Sequence, residues 1–162
     1  MVADWLKDIA PVSSNGWALV FVLHVATTMF MVGLIWLIQI VHYPLFAHVG
    51  DNTFLAYHKR HTQWITTIVA PLMLLELATG LLLWLMAPLQ PFWILNTMGI
   101  AVIWGSTAFW QVRLHKQLSL VDGTARLALI RQLVASNWLR TIFWSFRCLL
   151  LVGLLLEMLS QR

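Results

Sequence analysis

The chain has 162 residues, of which 60% are hydrophobic and only 10% charged, and its mean hydropathy is +0.81. Soluble domains carry roughly 45–50% apolar and about 25% charged residues, so this chain keeps its apolar surface out of water only by entering lipid. The single cysteine, Cys148, rules out a disulfide framework, and the pI of about 9.9 reflects basic residues that flank hydrophobic runs rather than a nucleic-acid surface.

Asp4, Lys7 and Asp8 make a poor basic n-region, and no small-residue cleavage site follows the first apolar run. That run therefore reads as a retained transmembrane helix. It covers about 17–40, preceded by the cap-like Ser13-Ser14-Asn15-Gly16 and ended near Pro44. The second span, 64–86, lies within a longer helix that starts near Thr53. Pro71 should bend that helix and free a carbonyl near Thr67. Pro88 and Pro91 then force a turn, because two prolines this close cannot both sit in a helix interior. The third span, 92–111, continues to Leu118, and Asp122-Gly123 turns the chain. An amphipathic stretch, 124–136, either lies on the membrane surface or extends the fourth span, 138–159. Gly99 and Gly105 would allow close helix approach. The expected fold is all-α: one domain, a four-helix up-down-up-down membrane bundle with both termini outside.

Tryptophan and charge give this bundle its expected orientation. Trp17, Trp84 and Trp93 would mark one interface, and Trp64, Trp110 and Trp138 the other. Lys59, Arg60, Arg113, Lys116, Arg126, Arg131 and Arg140 fall on one side, against Lys7 and Arg162 on the other. The positive-inside rule puts the first side in the cytoplasm of a bacterial inner membrane.

Polar residues fall at two depths. His24 and His42 are eighteen residues apart, as are His58 and Glu76, so each pair shares a helix face about 27 Å apart along the axis. Running the two helices antiparallel sets His42 level with His58, and His24 level with Glu76. The rim layer then gathers Gln39, His42, Tyr57, His58, His61, Gln111, His115, Asn137 and Arg140. Neutral imidazole suits iron, copper or, less readily, zinc, so His42, His58, His61 and His115 form a candidate metal site drawn from three helices. A haem b held by His42 and His115 is the alternative version. Gln39, Tyr57, Gln111, Asn137 and Arg140 would orient these ligands or hold a substrate. The bland reading is that interfacial histidines bond water and lipid headgroups; His48 reads as such a solvated loop residue. The deep layer holds His24, Glu76 and Arg147. An ionisable group at that depth costs on the order of 2.5–3.5 kcal/mol, so it faces the interior and is paired. Glu76–Arg147 reads either as a structural pair or, with His24, as a catalytic or proton-carrying group, and His24 is placed to contact the carboxylate.

The strings Gln39-Ile40-Val41-His42-Tyr43-Pro44, Tyr57-His58-Lys59-Arg60-His61 and Asn137-Trp138-Leu139-Arg140-Thr141 resemble those of short bacterial four-helix membrane proteins of unassigned function. In size, and in a histidine early in the first span (His24), the chain is also similar to the small haem-binding membrane protoporphyrinogen oxidases. That resemblance implies that a chain this short can hold haem and act as an oxidoreductase.

The leading expectation is a metal- or haem-binding membrane oxidoreductase acting on a lipid-soluble molecule such as a quinone. The rivals are a proton-linked channel or transporter built on Glu76, His24 and Arg147, working as a homo-oligomer, and an accessory subunit of a larger membrane complex. No nucleophile triad or phosphate-binding glycine loop is present, which disfavours hydrolase and ATPase chemistry.

Overall fold

The computed structural model describes residues 15–160. Ser13, Ser14, Lys7 and Arg162, used above for the cap and the orientation, lie outside the described residues. Four helices dominate: α1 (Gly16–His48), α2 (Asp51–Met86), α3 (Pro91–Leu118) and α4 (Gly123–Ser160), each long and apolar enough to cross a membrane. Leucine and phenylalanine side chains cover the outside, among them Leu19, Phe30, Phe109 and Leu149, while the ionisable Glu76 and Arg147 are buried. This inside-out pattern suits lipid as the solvent.

The helix boundaries have local causes. Gly50 caps α2 in an extended conformation, and Pro91 opens α3 where a missing N–H does no harm. Gly123, at φ +56°, supplies the left-handed residue from which α4 starts. The amphipathic stretch resolves as an extension of α4, whose Arg126 pairs with Asp51 at 2.6 Å and lies over the Phe54 ring. The first span does not stop at Pro44. A π-turn at Ile38–His42, with Tyr43 N–H donating to Ile38 O, precedes the proline, which then sits at the start of a short α segment. The loosened turn accommodates a residue that cannot donate. A second π-turn, Thr107–Gln111, interrupts α3 at the same end of the bundle.

Three apolar clusters stack along the interior. Trp17, Phe21, Leu83, Trp93 and Leu151 close one end; Met31, Ile35, Met73, Ile103 and Trp144 form the middle; Phe46, Phe54, Leu118, Ile130 and Leu133 fill the histidine-rich end. Trp17 and Trp93 turn into the core at that end, 1% and 0% exposed, with Trp17 stacked on Phe21. Their rings plug an end of the core that the short Ala87–Gln90 turn leaves uncovered. Trp64 and Trp110, by contrast, are outward-facing.

Candidate functional site

The deep layer lies between the first two clusters and is closed on itself. Arg147 Nη1 donates to Glu76 Oε1 at 2.8 Å, with both side chains fully buried. Glu76 also accepts from Thr28 Oγ1 at 2.8 Å and from Trp144 Nε1 at 3.0 Å. Arg147 Nε donates to Asn96 Oδ1, which leaves the Asn96 amide nitrogen to donate to His24 Nε2 at 3.1 Å. Arg147 Nη2 reaches that same nitrogen at 3.2 Å. With Nε2 accepting, the His24 proton sits on Nδ1, which donates to Thr79 Oγ1 at 2.9 Å. His24 thus reaches the Glu76 carboxylate through Arg147 and not by the direct side-chain contact expected from their common depth.

Glycine makes room for this network. A Cβ on Gly99 would meet Arg147 Cδ at 2.5 Å, and one on Gly80 would clash with Ile100 Cδ1 and meet His24 Cε1 at 2.9 Å. Gly105 faces nothing within 4 Å, so the close approach expected there does not occur. Because three hydrogen bonds pin Arg147, Gly99→Ala is expected to destabilise the protein by about 1–3 kcal/mol. Gly105→Ala should be neutral or stabilising by up to about 1 kcal/mol. Thermal melts of the two variants in detergent check the contrast.

The rim layer brings the four expected imidazoles together. His42, from α1, bonds His61 of α2 through Nε2 and Nδ1 at 2.7 Å, and His58 Nε2 bonds His115 Nδ1 of α3 at 2.9 Å. The His61 ring centroid lies 4.4 Å from that of His42, 5.7 Å from His115 and 6.5 Å from His58. Phe46, wholly buried, touches all four edge-on and holds them apart from the core below. His48 is exposed, as expected of a solvated residue.

One of these pairs belongs to a directional chain. Tyr43 Oη accepts from Arg140 Nη2 at 3.4 Å and lies 3.0 Å from His115 Nε2, to which it donates when the Ser119 hydroxyl is placed on the His115 carbonyl. His115 then carries its proton on Nδ1 and gives it to His58, whose Nδ1 proton goes to Ser119 Oγ at 3.3 Å. Ser119 ends the chain on the His115 carbonyl. The other pair is left incomplete: His61 Nε2 is buried without a hydrogen-bond partner.

As the rings stand, no three His, Cys, Asp or Glu side chains among the described residues converge in metal-ligand geometry, because four nitrogens are engaged pairwise. The donor set itself fits a transition metal: four imidazoles from three helices, one with an orphaned nitrogen. That nitrogen is either an unpaired N–H or a free lone pair, and burying it costs about 1–3 kcal/mol. A metal ion would remove the deficit.

The supporting residues divide. Tyr57 stacks on His42 at 6.4 Å, and Arg140 orients Tyr43. Gln39 instead accepts from Asn137 Nδ2 at 2.7 Å and donates to Val134 O, and Asn137 Oδ1 accepts from Arg140 Nε. These two bind α1 to α4 and set the guanidinium; neither touches an imidazole. Tyr43 and Phe46, which the polar pattern did not single out, prove central.

Beside the cluster, a half-enclosed cavity of about 370 Å³ opens between α2 and α3. Its apolar walls include Ile35, Ile65, Val69 and Met73; Tyr43, Gln111, His115 and Arg140 make its polar end, and Trp144, which holds Glu76, lines it too. A second, more open crevice runs along α1 and α2 past His42, Tyr57 and His61. No family model, curated protein or solved structure matches this chain.

Proposed function

We propose that the protein is a membrane oxidoreductase in which His42, His58, His61 and His115 hold a redox-active metal ion beside a cavity for a lipid-soluble substrate. The observation that carries this reading is the orphaned His61 Nε2, on a ring whose centroid lies 4.4, 5.7 and 6.5 Å from those of three further imidazoles. Redox chemistry favours iron or copper over zinc. A bare ion is favoured over haem b, since the His61 ring packs 4.4 Å from His42 and 5.7 Å from His115, too close for a macrocycle to enter among them as they stand. Bound there, the metal would supply one-electron chemistry at the polar end of the cavity. The chain's own residues do the rest. Tyr43 and Arg140 orient the His115 ring through its Nε2, and Ser119 orients the His58 ring through its Nδ1, so exchanging the bond between the two rings for the ion would leave both supports in place.

The topology belongs to the same reading. His24 lies against Thr79, and His42 against His61, which supports α1 and α2 running antiparallel within an up-down-up-down bundle. Lys59, Arg60, Arg113 and Lys116 at the histidine-rich end support its facing the cytoplasm. We read Glu76, His24 and Arg147 as architecture, because the buried pair is enclosed by neutral donors and acceptors. Protein purified in mild detergent and loaded anaerobically with ferrous or cuprous ion should retain about one ion per chain through gel filtration. No retention of either ion ends the proposal.

A further inference from the structure

We infer that the cavity between α2 and α3 takes the reduced, quinol form of a quinone-type lipid in preference to its oxidised form. This deepens the oxidoreductase reading by naming the substrate class, and rests on it for the word substrate; the binding preference stands on the cavity alone.

Gln111 carries the argument. It is 2% exposed and lines the cavity. Its amide nitrogen donates to Ser136 Oγ at 3.0 Å, while the Ser136 hydroxyl gives its own proton to Leu133 O. Ser136 can then only accept from Gln111, which fixes the amide against a flip. Gln111 Oε1 is left as a buried acceptor with no donor. On the same lining, Trp104 Nε1 is a buried donor with no acceptor. A ligand that completes the site must offer a hydroxyl to Gln111 and an oxygen to Trp104. Its body must be apolar, to match Ile35, Ile65, Val69 and Met73.

A quinol meets all three demands. Its hydroxyl donates to Gln111 and its second oxygen accepts from Trp104. The tail leaves between α2 and α3, where exposed Thr66 and Val112 flank the opening into the surrounding lipid. A quinone has acceptors only, so Gln111 Oε1 would stay unpaired. Sites built to bond a hydroxyl reject analogues that lack it for this reason.

The test uses the full chain in nanodiscs, titrated calorimetrically against empty nanodiscs. The probes are decyl-benzoquinol kept reduced, decyl-benzoquinone, and the dimethyl ether of the quinol, which keeps its shape without a donor. The quinol should bind about tenfold or more tightly than either analogue. Gln111→Leu should abolish that difference, and Ala70→Phe, which fills the lumen, should weaken all three. Equal affinities for the three probes, or no saturable binding above empty nanodiscs, would overturn the inference. Should Gln111→Leu fail to fold, the ordering in the unaltered protein decides alone. Metal content is measured on the same preparations. Quinol preference without metal retention defeats the metal reading and leaves this inference standing; metal retention without the preference does the reverse.

Discussion

Arg147→Met is expected to be the most damaging single substitution in the chain, lowering stability by about 3–5 kcal/mol. The guanidinium is the only cation within hydrogen-bond reach of Glu76 among the described contacts, at 2.8 Å. Without it the carboxylate keeps only Thr28 and Trp144, two neutral donors, in an interior that excludes water. Asn96 and His24 lose a donor as well. Glu76→Gln should be milder, since the amide oxygen still accepts from Arg147 and Thr28. The double variant Glu76→Gln/Arg147→Met should recover much of the loss, because no charge is then left buried. Melting temperature and the monodisperse fraction in detergent measure all three. A double variant that folds and retains metal supports the architectural role of the pair. One that folds but no longer holds metal assigns the deep layer a part in the chemistry.

The depth ordering was legible because polar groups within apolar spans are few and regularly spaced. The eighteen-residue intervals brought His42 to α2's histidines, and a carboxylate at Glu76 demanded a cation, which Arg147 supplies. What closes the deep network was not legible. Thr28, Thr79, Asn96 and Trp144 are tolerated in membrane helices whether or not they bond anything, so their presence carries no signal. Gly80 carries no mark in the sequence that sets it apart from other small residues, although the His24 and Ile100 side chains pack against it.

At the rim, residue type was informative and direction was not. Histidine content pointed to the cluster, yet Gln39 and Asn137, chosen on the same grounds, turn towards each other. The π-turns explain part of this. Each inserts a residue into its helix, shifting which face the following side chains present, and neither has a reliable mark in the sequence. Tyr43 follows the first such turn directly and Gln111 ends the second. Helical spacing placed Gln111 in the rim layer but gave no sign of Tyr43 or of the cavity that both line.

His61→Leu should abolish metal retention while leaving the metal-free protein nearly as stable as before. Leucine fills similar space against Phe46, and it removes a buried nitrogen that has no partner. The substitution breaks one hydrogen bond, to the half-exposed His42, whose freed nitrogen has access to water. Losing a bond worth about 0.5–1.5 kcal/mol is offset by losing an orphan that costs about 1–3 kcal/mol. Metal affinity should fall by more than about 100-fold, beyond the range typical of merely orienting partners. Acid should act in the same direction on the unaltered protein. A ligating imidazole offers its lone pair only when neutral, so protons compete with the metal, and retention should weaken as the pH falls through the pKa values of the metal-free imidazoles. Below those pKa values each histidine that leaves the metal takes up a proton, so the pH slope of the affinity there counts the ligands. A slope near zero in that range, or a His61→Leu variant that binds metal as the unaltered protein does, would place the ion away from the imidazole cluster. A slope that falls by about one unit in His42→Ala would assign that residue to the coordination shell rather than to the support of His61.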